Sequence, residues 1–360
     1  MKLLAIDIGA GTSDILVYND QKQSIENCVK MVLPSPSLVY ANRVREATQR
    51  GLDVFLKGNI IGGGSLTSAL RRHLKQGLRV LMTKNAAYTV RNLLEQVTDL
   101  GIEIVPENTD LSDINGVNIF LNEIPFKVIH DFVSTFDETL LDVDVVAIAV
   151  QDHGVFPKEV SNRQFRIHKI HETLTQNPLP ESLAFLEDSI PHCFLRMRAA
   201  AKESRLQLPN AKVLLMDTAP AAVLGCLQDS AVRSRDPVLA VNVGNGHTMA
   251  AIISGGQVIG VMEHHTRALT PQKIELFLTQ FGDGQLSNDD VFQDGGHGTF
   301  YLSTAPGFSH IQTVAATGPN RRLLANTSFP VYFAAPAGDV MMTGPIGLIR
   351  AVKQRITLTN

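Results

Sequence analysis

The residues best suited to chemistry begin near the N-terminus, where Asp7-Ile-Gly9-Ala-Gly11-Thr12-Ser13-Asp14 follows a short apolar stretch. Glycines at such a turn admit positive φ and leave no Cβ in the path of a ligand. Successive backbone N–H groups there form a concavity that suits anions. Asp7 is placed to hold Mg2+ through water, while Thr12 or Ser13 can donate to a phosphate oxygen. The same residue types also make an ordinary β-hairpin turn for backbone reasons alone. Repetition favours the phosphate reading. Laying Leu3 on Val238 aligns LLAIDIGAGTSDILVY with VLAVNVGNGHTMAAII without a gap, putting Gly9 and Gly11 on Gly244 and Gly246, and Asp7 on Asn242. Two such units predict two related lobes with a cleft between them.

Other segments offer partners for that cleft. Gly62-Gly63-Gly64-Ser65 precedes a helical pattern rich in Arg and Lys. It reads either as an anion site at a helix start or as a turn capped by Ser65. The apolar run 145–150 is a buried strand that delivers Gln151, Asp152 and His153 to its C-terminal edge, where open α/β sheets bind ligands. Asp152 is the acid best placed to take a hydroxyl proton in phosphoryl transfer. Asp217, at another strand end, is a second candidate base or a helix N-cap. His247, His264, His265 and His297 gather in the C-terminal half with Glu263 and Asp294. They read as a divalent metal set, as cleft lining, or as ordinary polar structure. His264 and His265, adjacent on a strand, should face opposite sides. Arg321 and Arg322 suit base stacking or phosphate contact, or simply begin a solvated helix.

Alternating strands and helices position these groups, which predicts an α/β class. The patterning predicts strands over 2–8, 14–18, 28–33, 79–82, 102–105, 143–150, 212–216 and 238–243. It predicts helices over 65–76, 88–100, 181–206, 219–228 and 341–354, a stop at Pro34-Ser-Pro36, and a long loop over 160–180. A length of 360 residues suggests about two domains. With 32 basic and 35 acidic residues, the charge of −3 argues against nucleic acid as the main partner. No apolar run is long enough to span a membrane. Asp7 interrupts the apolar start before a signal-peptide pattern develops, so the reading is cytoplasmic. Cys28, Cys193 and Cys226 are too scattered for a disulfide framework, a zinc ribbon or the compact cysteine cluster of a radical-type iron–sulfur centre.

Five elements, in order, resemble the actin, sugar-kinase and heat-shock-ATPase superfamily. Residues 7–18 resemble its first phosphate loop, 217–225 the connecting helix, 241–253 the second phosphate loop, 316–320 the adenosine loop and 338–347 the last connecting helix. The resemblance implies two ribonuclease-H-like (actin-like ATPase) lobes with an interlobe cleft. Their expected extents are 1–208, with an insertion near 55–135, and 209–335, with 336–360 crossing back. It implies ATP and Mg2+ gripped by Asp7, Gly9, Gly11, Thr12, Ser13 and Asp14 on one side. Asn242, Gly244, Asn245, Gly246, His247 and Thr248 would face them, with Thr317, Gly318, Asn320 and Arg321 beside the adenosine. A small, anionic acceptor would meet Gly62, Gly63, Gly64, Gln151, His153, His264 and His297.

The chain also departs from that pattern. Asn242 replaces an acid and adds no charge for Mg2+; His247 stands in place of a glycine or hydroxyl residue; Pro319 removes a backbone donor. Three functions stay open: ATP-dependent phosphotransfer or hydrolysis, a nucleotide-dependent switch that closes its lobes to activate or assemble a partner protein, and a cleft adapted to a non-nucleotide ligand; a protein partner or a homodimer stays open with them. The first needs a walled acceptor pocket, and residues 55–135 are long enough to build one inside the first lobe. The whole chain further resembles a prokaryotic family labelled pyruvate formate-lyase activating enzyme, whose implied radical chemistry the cysteines do not support.

Overall fold

The computed structural model describes residues 1–109 and 116–356, so positions 110–115 of the expected insertion and the last four residues lie outside the described residues. β1 (Lys2–Ile8), β2 (Thr12–Asn19) and β3 (Val29–Pro34) form an antiparallel meander. The chain then leaves through the helix Pro36–Gln49 into a separate parallel sheet of β4 (Asp53–Gly58), β5 (Val80–Thr83), β6 (Glu103–Val105) and β7 (Gly116–Leu121), ordered β6-β5-β4-β7. It returns as β8 (Val145–Val150), parallel to β1, followed by β9 (Ala184–Leu186) and β10 (Lys212–Met216). The resulting order is β3-β2-β1-β8-β10-β9. Every residue of β8 is buried, as befits a central parallel strand covered on both faces.

The second sheet repeats the plan. β11 (Val238–Val243), β12 (His247–Ser254) and β13 (Gln257–His265) form the meander, with β14 (Gly298–Tyr301) beyond it. β15 (Thr313–Thr317) and β16 (Val331–Phe333) add in parallel to give β14-β13-β12-β11-β15-β16. Counted within each unit, five strands run 3-2-1-4-5 with the second antiparallel, so both lobes have the ribonuclease-H-like topology expected from the sequence. One face of each sheet packs on a shared core with the helices Thr218–Cys226 and Thr343–Arg355. The first of these is apolar all round and buried except at Thr218, the pattern of a helix enclosed between layers. These helices touch backbone to backbone: a Cβ on Gly225 would collide with the Thr343 carbonyl, and one on Gly347 with that of Ala221.

The expected stop at Pro34-Ser-Pro36 falls at the end of β3, and Pro36 also opens the helix Pro36–Gln49 at its first turn, where a missing N–H costs nothing. Several other local expectations are corrected. The expected loop over 160–180 is mostly the helix Asn162–Gln176, capped by Ser161 Oγ. Its polar composition masked a buried stripe of Arg166, Ile167, Ile170 and Leu174 at helical spacing. The helix expected over 181–206 is confined to Leu195–Gln207, preceded by β9 and interrupted before Pro191. That expected over 88–100 shrinks to Leu94–Thr98. Ser65 caps nothing, because the helix Gly64–Lys75 begins one residue earlier, after Gly63, without a side-chain cap.

Candidate functional site

The two glycine hairpins fold alike. The Gly9 N–H donates to the Thr12 carbonyl and the Gly244 N–H to the His247 carbonyl, each at 2.9 Å. The end of the third strand braces both turns: Ser35 N–H donates to Gly11 O and Thr266 N–H to Gly246 O, each at 3.1 Å. The tips face one another so closely that a Cβ on Gly11 would strike the Asn245 amide. Between them lies a narrow cleft of about 80 Å³ lined by Asp7, Thr12, Asp14, Asn242, His247 and Gly318, among others. Strand alternation puts Thr12 and Asp14 into it. Ser13 and Thr248 turn away from it and are buried, which corrects their expected phosphate contact. Thr248 Oγ1 instead lies 3.0 Å from Thr266 Oγ1.

The adenosine-like loop is tied to the second hairpin. The Asn320 amide donates to Gly244 O at 3.1 Å and to Asn245 Oδ1 at 3.3 Å, while Arg321 reaches back to Gly318 O at 3.1 Å. Thr317 is buried and donates to Thr343 Oγ1 at 2.9 Å. Gly318 has φ +94 and backs onto Val243 and Asn242, so glycine is required there on both counts.

Two carboxylates in the cleft each carry a buried oxygen without a hydrogen bond, Asp7 Oδ1 and Asp14 Oδ1, and the residues face each other across β1 and β2. Burial, then the charges of Asp14 and Asp217, pushes the Asp7 carboxyl well above the usual carboxylate range. Burial raises Asp14 to about 7, with Thr12 opposing and Asp339 adding to the shift. Behind Asp7 stands the start of the helix Thr343–Arg355, where any Cβ on Gly344 would run into the Asp7 carboxylate. Orphan carboxylate oxygens beside paired glycine turns are the donor set a hard, oxygen-preferring cation takes, so the residues present fit Mg2+.

Asp152 and Asp217 are both brought to the centre, but each has a structural task. Asp152 accepts from the N–H groups of Gly154 (2.8 Å), Arg196 (2.8 Å) and Met197 (3.1 Å), capping the helix Leu195–Gln207 from a distance. Asp217 caps its own helix through Ala219 N–H and receives both nitrogens of Arg166, at 2.6 and 2.9 Å. The same guanidinium donates to both oxygens of Glu263, each at 2.8 Å, and to the Asp152 carbonyl at 3.1 Å. Arg166 and Glu263 are 2% and 0% exposed, so this ion triad ties the strand ends of one lobe to β13 of the other. Arg166 holds the Glu263 carboxyl far below its ordinary range in spite of burial. Arg166 carries no local signal in the sequence, because the polar composition around it reads as a loop.

A second cavity, of about 850 Å³, opens from the cleft and shares Gly9, Ala10, Gln151, Gly246 and His247 with it. Gly62, Gly63 and Gly64 line its far side with Arg71 and Arg91. Gly63 packs on the Thr89 carbonyl too tightly for any Cβ. Burial and the neighbouring charge of Arg71 lower the Arg91 guanidinium. Arg196 is committed elsewhere, bidentate to the buried Glu123 at 2.8 and 3.0 Å.

The histidines divide. His264 points away, its Nε2 3.0 Å from Asp294 Oδ2 and its ring on Phe277, so it does not join the expected substrate set. His265 turns to the opposite side, against His247 and His297. His153, from the end of β8, meets His247 and His297: its Nε2 is 3.3 Å from His297 Nε2, and one nitrogen from each ring lies within 4.8 Å of the others. Gln151 bonds His247 Nδ1 at 2.7 Å, leaving His247 Nε2 buried and without a partner. Desolvation first of all lowers all three imidazoles, to about 3, 3 and 2 for His153, His247 and His297, so the rings are neutral.

Comparison with solved structures finds distant likenesses. One is an exopolyphosphatase-like protein, at 10% identity and TM-score 0.28 over 88% of this chain and 66% of that one. Another is a ROK hexokinase from Thermus thermophilus, at 13% identity and TM-score 0.23 over 72% of this chain and 47% of that one. A third is a Listeria monocytogenes protein described as "a putative N-acetylmannosamine kinase", at 9% identity and TM-score 0.37 over 98% and 99%. The chain thus spans just under two thirds of the first and about half of the second. No curated protein matches it. Among the described residues no helix is long and apolar enough to cross a membrane. Cys28 and Cys226 are buried and Cys193 half-buried, and no cysteine joins the one metal-capable group of His, Cys, Asp and Glu found among the described residues. A family model matches residues 61–323, and by that match the chain belongs to the family described as "Putative pyruvate format-lyase activating enzyme (DUF1786)".

Proposed function

We propose that this protein binds ATP with Mg2+ between its hairpins and transfers the terminal phosphoryl group to a small anionic acceptor. One observation carries the reading: paired glycine turns, flanked by Asp7 and Asp14 with one buried oxygen each lacking a hydrogen bond, open into a larger cavity that Arg71 and Arg91 line. Asp7 and Asp14 would hold the metal, while Thr12 and the N–H groups of the turns would hold the phosphates. When bound, the Mg2+-nucleotide supplies the transferable group. Catalysis then rests on positioning and charge neutralisation by this chain. Arg71 and Arg91, which have no carboxylate partner among the described residues, would neutralise the acceptor's anionic end. Asp152 and Asp217 are positioning residues in this reading, because their oxygens are engaged by N–H groups and Arg166. The contact between Gly11 and Asn245 means that the lobes must part to admit a nucleotide.

The test is calorimetric titration of ATP, with and without Mg2+, on the wild type and on Asp7→Ala. Saturable binding that Mg2+ strengthens and the variant loses is expected. Wild type that stays silent at millimolar ATP overturns the reading.

A further inference from the structure

The three converging histidines are not used in the phosphotransfer reading above, and their arrangement is costly unless something binds them. Their rings come from distant places: His153 from the end of β8 in the first lobe, His247 from the second hairpin, and His297 from the segment before β14. His297 is 0% exposed and its Nδ1 has no hydrogen bond; the nearest carboxylate oxygen, Glu263 Oε2, is 3.9 Å away. His247 Nε2 is likewise buried and unpartnered. A buried polar atom left unpaired is destabilising, and His247 Nε2 is such an atom aimed into the cluster.

We propose that His153, His247 and His297 form a binding site for a borderline first-row cation, Zn2+ foremost, through one nitrogen of each ring. Tetrahedral Zn2+ with Zn–N bonds of about 2.0–2.1 Å requires ligand nitrogens roughly 3.3–3.4 Å apart. His153 Nε2 and His297 Nε2 already stand at 3.3 Å, and His247 needs only a modest ring movement to complete the set. An imidazole-only set suits Zn2+, Ni2+ or Cu2+ better than the hard cations. Histidine ligands are typically oriented by an outer amide or carboxylate. Gln151 occupies that position for His247 at 2.7 Å, while Glu263 Oε2, 3.9 Å from His297 Nδ1, stands beyond hydrogen-bond reach. The Gln151 amide, turned so that its oxygen accepts from Nδ1–H, frees Nε2 for the metal. Three protein ligands leave a fourth position open. His153 and His247 also line the larger cavity, so that position would face the cavity and take water or an anionic oxygen of its occupant.

The experiment uses the full chain, stripped with a chelator and titrated with Co2+ and then Zn2+ in the absence of nucleotide. Expected are one equivalent of Co2+ with the intense visible bands of a four-coordinate nitrogen site, bleached by Zn2+, and a loss of affinity of at least about 100-fold in His247→Ala and in His153→Ala, beyond what an outer-shell change causes. His192→Ala, at an exposed histidine, should bind as the wild type does. Circular dichroism monitors folding, and His247→Ala, at the partly exposed hairpin, carries the test if a variant at His297 does not fold. A wild type that takes up no more metal than the H153A/H247A double variant overturns the proposal. So does a wild-type Co2+ spectrum of octahedral, weakly coloured type. Nucleotide plays no part in the titration, so this site and the phosphotransfer reading can fail independently.

Discussion

Arg166→Met is the perturbation with the most to say about how the lobes are joined. The guanidinium is 2% exposed and makes five hydrogen bonds, two to Asp217, two to Glu263 and one to the Asp152 carbonyl. Methionine keeps most of the stem volume but removes the charge, leaving two buried carboxylates without their cation. Breaking a buried pair in this way costs about 3–5 kcal/mol, and each kcal/mol lowers Tm by about 2–4 °C for units of 150–250 residues. A fall of roughly 10 °C is therefore expected at pH 8 by scanning calorimetry, with a broadened or split transition as the lobes uncouple. The pH dependence carries the sign. In the wild type the Glu263 carboxyl is held far below its ordinary range, so it contributes stability that is present above the unfolded pKa and lost as pH falls through the folded value. Without Arg166 the same carboxyl is better off protonated. The deficit of the variant should thus be largest at pH 8 and shrink toward pH 4–5. A deficit independent of pH, or a Tm within experimental scatter of the wild type, would refute the argument that the triad's charge rather than its volume holds the lobes.

Other expectations follow from single contacts. Glu203 is raised by burial, and further by Glu123, from an ordinary 4.5 to about 7, which places its stability below pH 4.5 and removes it as pH rises to 7. Glu203→Gln should leave stability at pH 4 unchanged and add about 1–2 kcal/mol at pH 8, after discounting for partial exposure, as read from urea midpoints at both pH values. Gly347→Ala drives a methyl into the Ala221 carbonyl where the two connecting helices cross; a loss of about 1–3 kcal/mol in denaturant unfolding is expected, and an unchanged midpoint would show that the helices can slide apart freely. Gly11→Val wedges the hairpin tips and should weaken ATP affinity more than it lowers Tm, an ordering that separate calorimetric and melting measurements can reverse. Arg71→Ala with Arg91→Ala should abolish stabilisation by small dianions in a thermal-shift panel while leaving ATP binding intact; retained stabilisation would move the acceptor elsewhere.

The parts of this protein legible without coordinates are those written over short stretches of chain. An apolar strand, a glycine turn and a second strand, met twice, already specify paired hairpins, because turn chemistry and strand alternation act between neighbours. The buried run of β8 announced a central strand and placed Gln151, Asp152 and His153 at its edge. Polar helices are harder: the His- and Asn-rich stretch around Arg166 hides a helical stripe. Tertiary structure alone decided what each polar group does. Asp217 and Asp152 look alike on paper to any free acid, yet Arg166 and two backbone N–H groups engage Asp217 and three engage Asp152, while Asp7 and Asp14 each keep a buried oxygen without a hydrogen bond. His153, His247 and His297 are up to 144 residues apart and meet only when the two lobes close on each other. The fate of a buried charge or lone pair depends on what faces it across the fold, and that is set by packing between segments no local pattern connects.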